Sequence, residues 1–277
     1  VDAPLEKQPR RFHDGGLPAL GDFEAIPPDP DRDPRIVLER LSVEGEEQFA
    51  LLRRIGYLDR VFGEILVPAD IETFRTDLTS VPTIFTWLVP RTGAHLPAAL
   101  LHDGLLHDPA EAPTYLADRP INRVQADRVF RDAMADTGTG LVRRWLVWSA
   151  VTTATMVKGV DTGFSRFTTW RHRIAVVVTL LLVATLGVLA TLDLFDLAGI
   201  ALPWMGDRPW WAELLGGLAG AVVIPACLAL LWGRFRSAGF VMAIGLAVLL
   251  HVTAGVLLVT GLYLAAEKVA GLVTRRS

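Results

Sequence analysis

Three stretches in the last 104 or so residues carry no Asp, Glu, Lys or Arg: Ile174 to Leu192, Leu214 to Trp232, and Phe240 to Ala266. Each is at least 19 residues long, and 19 residues of helix at ~1.5 Å per residue cover roughly 28 Å, about the hydrocarbon thickness of a bilayer. A water-soluble fold would have to bury three such helices on every side. The sequence therefore predicts three transmembrane helices, near 174–192, 214–232 and 240–266. Charge is distributed to match: residues 1–173 hold 21 of the 27 Lys and Arg and 25 of the 30 Asp and Glu. Two parts of one chain are built for two solvents.

Positive flanks set an expected orientation. Arg166, Arg171 and Arg173 precede the first span, and Arg234 and Arg236 lie between the second and third. The loop between the first two spans has four acids against Arg208, with Trp204, Trp210 and Trp211 suited to interfacial depth. The expectation is an integral protein of a bacterial inner membrane with its N-terminal domain cytoplasmic. Lys268, Arg275 and Arg276 in the tail oppose that assignment: either the long third segment is an interrupted or re-entrant element, or the tail charges are outvoted by the other flanks, which is the reading preferred. Gly216 and Gly220 form a GxxxG pair, a candidate face for self-association. Pro225 is placed to kink the same helix. His251 is the ionisable side chain placed at depth, where a neutral ring bonded to a neighbouring helix is one reading and a functional group the other. Three spans with so little polarity read as an anchor in the lipid bilayer rather than a conduit.

Ahead of the spans, residues 1–35 are rich in Pro, Gly and Asp and are expected to form a flexible N-terminal arm. Residues 1–40 contain no apolar run of the kind a secretory leader needs. Residues 36–165 are expected to form a soluble α+β domain: a short antiparallel sheet with several helices. FALLRRIGYLDR and GEILVPAD read as strands joined by a turn across Asp59 to Gly63. HLPAALLHDGLL reads as a helix opening at Pro97. INRVQADRVFRDAMADTG reads as an amphipathic helix with Ala126, Phe130, Ala133 and Met134 on one face and a stop at Gly138. SVPTIFTWLVP suits a helical turn closed by Pro90. The apolar run Trp145 to Val157 is too short to span a membrane and is assigned to the soluble core. Cys227 is the sole cysteine, which excludes an intramolecular disulfide and a Cys-based zinc site. A net charge of −3 gives no reason to expect nucleic acid as a partner.

Chemistry is concentrated in three motifs: TDLTSVP (Thr76 to Pro82), HDGLLHD (His102 to Asp108) and NRVQADRVFRDAM (Asn122 to Met134). A His-Asp doublet on an apolar helix is costly to desolvate unless both groups find partners, and Asp77, Ser80, Arg123 and Asp127 are available. In one reading His102, Asp103 and Asp127, with Asp77 beside them, gather at a divalent metal ion (Zn, Mn or Fe) that activates water for hydrolysis. In a second, Ser80 is a nucleophile with His102 as base and Asp77 or Asp127 as orienting acid; Ser80 lacks a G-x-S-x-G elbow. In a third the groups form a buried structural network, with Asp127 paired to Arg131 or Arg123. The doublet is shared with HD-type phosphohydrolases, but the strands expected ahead of it do not fit that all-helical domain.

Taken in order, VPADIETFRTDLTSVP, WLVPRTGAHLPAALLHD, NRVQADRVFRDAM and RRWLVWSAV resemble the DUF1353 family over about residues 48–160. The family comprises small domains of bacteriophage and bacterial genomes with no assigned function. Asp77, Ser80, Pro82, His102, Asp103, Arg123 and Asp127 follow its pattern. Thr79 stands where a small Ala is usual, and Gly104 and Leu106 stand where aromatics are usual. The membrane part lies outside the resemblance. The expectations are a metal-dependent hydrolase at the cytoplasmic membrane face, with Asp77, His102, Asp103 and Asp127 as site residues, or a non-catalytic binding or assembly module tethered there for a phage- or envelope-related process.

Overall fold

The computed structural model describes residues 11–19, 24–43, 46–78, 93–107, 110–197 and 199–274. The chain divides into two compact units, one ending at Arg166 and one beginning at Phe167.

The N-terminal unit is mixed α and β, with two antiparallel sheets. The first contains β1 (Phe12–Asp14), β4 (Ile55–Asp59), β5 (Gly63–Val67) and β7 (Leu116–Ala117), in the order β1-β4-β5-β7. The second contains β2 (Leu38–Val43), β3 (Glu46–Leu51) and β6 (Arg75–Thr76), in that order. β4 and β5 form the expected hairpin, with Asp59 opposite Gly63, Tyr57 opposite Ile65 and Ile55 opposite Val67. Those last two pairs are fully buried while Leu58 is exposed, as the alternation of a half-buried strand requires. Asp59 closes the turn: its Oδ1 accepts the N–H groups of Val61 and Phe62, and its carboxylate takes both Arg128 nitrogens at 2.7 and 2.9 Å.

The expected arm over residues 1–35 is corrected by β1. Phe12, His13 and Asp14 are buried and pair with Tyr57, Gly56 and Ile55. The segment lacks apolar periodicity because polar partners hold it instead. Asp14 accepts two hydrogen bonds from Arg53, at 2.6 and 2.5 Å, and His13 Nε2 lies 2.9 Å from Glu64. A side chain at Gly56 would collide with the His13 ring, its Cβ falling 2.2 Å from Nε2.

Among the described residues three helices complete this unit: α1 (Leu96–Leu105), α2 (Arg123–Asp136) and α3 (Leu141–Lys158). α1 carries Pro97 in its first turn and packs on β4, β5 and α2. Its close seat on β5 depends on Gly104, where a Cβ would fall 2.1 Å from Val67 Cγ1. A larger side chain has no room at this spot. α2 opens with a capping box: the Asn122 side chain accepts the Gln125 N–H at 3.0 Å, and the Gln125 side chain accepts the Asn122 N–H at 2.9 Å. Its inward face is the expected one, Ala126, Phe130, Ala133 and Met134. α3 buries Val147, Trp148 and Met156 within this unit, in keeping with its assignment to the core, and ends at Gly159 in the left-handed region (φ 68°).

The C-terminal unit consists of α4 (Arg166–Leu194), α5 (Trp210–Ala229), a 3₁₀ turn (Leu230–Phe235) and α6 (Arg236–Thr274). Among the described residues two apolar helical stretches are long enough to cross a membrane, Arg166–Leu194 and Trp210–Gly271, rather than three. The second and third segments expected from the sequence lie in the latter, because no loop separates them. Helical geometry breaks at Gly233 (φ 59°, ψ −118°), and α5 and α6 pack against each other. Trp232 is fully buried and donates from Nε1 to Thr179 Oγ1 on α4 at 3.0 Å. Gly216 and Gly220 accommodate Trp204 of the same chain: a Cβ at Gly216 would fall 2.2 Å from the Trp204 carbonyl oxygen, and one at Gly220 would fall 2.9 Å from its ring nitrogen. The small-residue face is thus occupied from within.

Candidate functional site

Successive positions on a helix point roughly 100° apart, so His102 and Asp103 reach different neighbours. His102 turns toward α2. Its Nε2 lies 3.0 Å from Asp127 Oδ1, and its ring stacks on Phe130 with centroids 4.5 Å apart and planes 20° apart. Asp127 and Phe130 are one turn apart on α2, which lets the same face supply a charged partner and an apolar platform. His102 is 5 % exposed and Asp127 3 %. The second carboxylate oxygen of Asp127 is buried and meets no hydrogen-bond partner among the described residues. An open acceptor in such a place is a costly arrangement, of the kind that marks a missing water, ion or ligand.

Asp103 turns toward β6. Its Oδ2 accepts the Thr76 hydroxyl at 2.5 Å, and the Thr76 oxygen accepts the Leu78 N–H at 2.9 Å. Leu78 is buried with φ at 68°, a left-handed backbone that costs a non-glycine residue about 1–2 kcal/mol. One hydroxyl therefore ties a strained turn to the carboxyl of Asp103. Burial pushes the Asp103 carboxyl above its ordinary range and the charge of Asp77 adds to this, while the Thr76 hydroxyl and His102 act in the opposite sense. A carboxyl raised by burial thus stands one residue along from an imidazole that a carboxylate orients. Groups of these two kinds suit general acid and base chemistry.

Of the four expected site residues, then, the structure joins His102 with Asp127 and places Asp103 with Thr76. Asp77 is exposed, at the edge of the Thr76 turn. Among the described residues, no group of three or more His, Cys, Asp or Glu is gathered as metal ligands. Ser80, and with it the nucleophile reading, lies outside the described residues, as do Pro82 and the helical turn expected up to Pro90. The structural pairing of Asp127 with Arg131 or Arg123 is corrected: Asp127 bonds His102, while Arg131 bonds Asp132 at 3.1 Å and lies over the rings of Trp145 and Trp148. Thr76, Leu78 and the stacking role of Phe130 were not legible as site features. Thr76 sits in a motif whose acid drew the eye, and nothing local signals a contact 27 positions away.

Residues 49–151 match the model of the family described as "Protein of unknown function (DUF1353)". Thr76, His102, Asp103 and Asp127 all fall within the match, and α4, α5 and α6 fall outside it. No curated protein and no solved structure matches the chain.

Proposed function

Starting from a DUF1353 domain over residues 49–151, we propose that this domain is a hydrolase held at a membrane by the apolar helices that follow it. The site is the His102–Asp127 pair with Asp103. One observation carries the reading: the buried, unpartnered oxygen of Asp127 beside an oriented imidazole. A divalent cation (Zn, Mn or Fe) is a fitting occupant. Imidazole and carboxylate oxygens suit all three metals, and the cation would supply Lewis acidity and a lowered water pKa. Asp103, its carboxyl raised by burial, would give a proton to a leaving group. Asp77, exposed at the rim, would be a further carboxylate at the site.

The membrane part is an anchor in this reading. Two apolar stretches hold it there, α4 and the stretch of α5 and α6, within which helical geometry breaks at Gly233. Arginines at 166, 171, 173, 234 and 236 support, by the positive-inside rule, an orientation with the N-terminal unit on the cytoplasmic face of a bacterial inner membrane. Self-association would then use a face other than Gly216 and Gly220. A second reading, a non-catalytic binding or assembly module at the membrane, is favoured by a different observation. His102 and Asp127 are almost wholly enclosed, as members of a structural network would be.

Metal content separates the two. Purified full-length protein, loaded in turn with Zn, Mn and Fe(II) and then desalted, is measured beside His102→Ala and Asp127→Asn. The hydrolase reading expects about one ion per chain for one of the three metals, lost in both variants. Equal, negligible metal in all three proteins would remove the metal and leave the module.

A further inference from the structure

Arginines flank the apolar helices at several positions, and the structure sorts them. α4 turns one face inward, with His172, Ala175, Val176 and Thr179 buried. That face is tied to the turn between α5 and α6 by the Trp232 bond to Thr179 at 3.0 Å. Nearer the start of α4, the His172 ring meets Phe235 edge-on, with centroids 5.4 Å apart. Arg171 borders the same face, and its Nη2 occupies the space beside Gly233: a Cβ there would fall 2.9 Å from it. The next residue, Arg234, lays its guanidinium over Phe235, 4.8 Å from the ring centroid. Two guanidinium groups from separate segments thus converge on Gly233, Arg234 and Phe235. Arg173 is sorted away. At 100° per residue it stands about 150° round α4 from the edge that Arg171 and His172 share, and it lies over Trp170, 5.6 Å from the ring centroid.

A guanidinium keeps its charge throughout the physiological range, so the sign of this cluster depends on no protonation state. Arg171 and Arg234 are both exposed, open to a partner of opposite charge. The acids of this unit stand at the other ends of its helices. Asp193 is roughly 33 Å along α4 from Arg171, Glu213 roughly 24 Å along α5 from Ala229, and Glu267 roughly 46 Å along α6 from Arg236. Asp196 and Asp207 lie between α4 and α5, at the far end of both.

The cluster also has a definite level. Arg171 comes just before the uncharged run that opens at Ile174, and Arg234 just before the one that opens at Phe240. Trp170, exposed beside Arg171, suits the same border between hydrocarbon and water. Lipid phosphates lie at that border. Basic pockets between membrane helices suit anionic headgroups, and a guanidinium fork can take two phosphate oxygens at once. Phosphatidylcholine offers the same phosphate with a cation attached, which two arginines repel. We propose that the Arg171–Arg234 cluster binds the phosphate of an anionic phospholipid. The proposal rests on the membrane reading above and is independent of the hydrolase.

The probes are phosphatidylglycerol and phosphatidylcholine with the same acyl chains, titrated into full-length protein in a nonionic detergent and followed by native mass spectrometry. Wild type should hold phosphatidylglycerol about tenfold more tightly, the scale of one charge-assisted hydrogen bond. Arg171→Gln and Arg234→Gln should each bring phosphatidylglycerol down to the level of phosphatidylcholine. Arg173→Gln removes the same charge at nearly the same depth and should leave the preference intact. Excess inorganic phosphate should not displace the lipid. Equal binding of the two lipids by the wild type, a comparison that needs no variant, overturns the proposal. So does an equal loss in Arg173→Gln, which would make the preference a diffuse field of flanking charge. Displacement by inorganic phosphate would assign the cluster to a soluble anion and overturn the lipid. Release of the chain from membranes by alkaline carbonate overturns the membrane reading and this proposal together; retention with equal lipid binding overturns this one alone.

Discussion

In the N-terminal unit, His102 meets a carboxylate at 3.0 Å; in the C-terminal unit, His251 meets a hydroxyl at 2.6 Å. The same contrast runs through each unit. Asp14 is held by Arg53, Asp59 by Arg128 and Asp132 by Arg60. The C-terminal unit instead joins its helices through neutral groups, Trp232 to Thr179 and His251 to Thr191. Its two buried carboxylates, Asp193 and Glu213, sit at helix ends and accept backbone N–H groups of Leu202 and Arg208. A charge can be desolvated where an opposite charge and water at the rim share the cost, but not on a helix wall facing hydrocarbon. The comparison teaches that ion pairs set register in one unit and that shape sets it in the other.

The largest expected effect lies in the charged unit. Asp59→Ala removes the anchor of the β4–β5 turn and leaves Arg128 part-buried without it, a loss of about 3 kcal/mol in the thermal or denaturant stability of that unit. Burial alone would push Asp59 up, but Arg128 and the Val61 and Phe62 N–H groups outweigh it and hold the carboxyl below its usual 3.8. A depressed carboxyl stabilises above its unfolded pKa and loses that contribution as pH falls through the lower folded value. The variant should therefore show a flatter acid limb below about pH 4. A wild-type acid limb in the variant would break the claim that ion pairs dominate here.

Local features were the legible ones. The β4–β5 hairpin was readable because turn residues flank two strand-like runs, and the α2 face because Ala126, Phe130, Ala133 and Met134 recur at helical spacing. His102, Asp103 and Asp127 stood out because polar groups on apolar faces need partners. Which partner each takes was not readable. His102–Asp127 and Thr76–Asp103 join elements 25 and 27 positions apart, and that pairing is set by how α1 seats on β5 through Gly104. β1 was missed for a related reason: its partners are Arg53 and Glu64, so it carries no apolar period. The left-handed Leu78 breaks a local preference, as functional or strained sites do. In the C-terminal unit the lack of charge was plain, whereas the use of Gly216 and Gly220 to seat Trp204 required the loop.

Asp103 sharpens the comparison with an opposite sign and a smaller effect. Its carboxyl is raised, chiefly by burial, so its contribution is complete below the unfolded pKa and is lost as pH rises through the folded one. Asp103→Asn keeps an acceptor for Thr76 without the charge. Its unfolding midpoint should match wild type near pH 3 and exceed it at pH 7. A midpoint below wild type at pH 7 would mean that the ionised carboxylate is the native form, and Asp103 would join the other acids of its unit.

The smallest effect belongs to the neutral pair. Thr191→Val keeps the shape of the side chain and removes the hydroxyl, so His251 loses its hydrogen-bond partner and Gly187 its extra donor. Interhelical hydrogen bonds of this kind in membranes average about 0.6 kcal/mol, because the separated helices also find partners. A loss of that size, in a denaturing-detergent titration of protein in mixed micelles, is expected. A loss of about 3 kcal/mol would equal that of a broken buried ion pair in the other unit. The division between paired charge and shape would then fail at the residue that best expresses it.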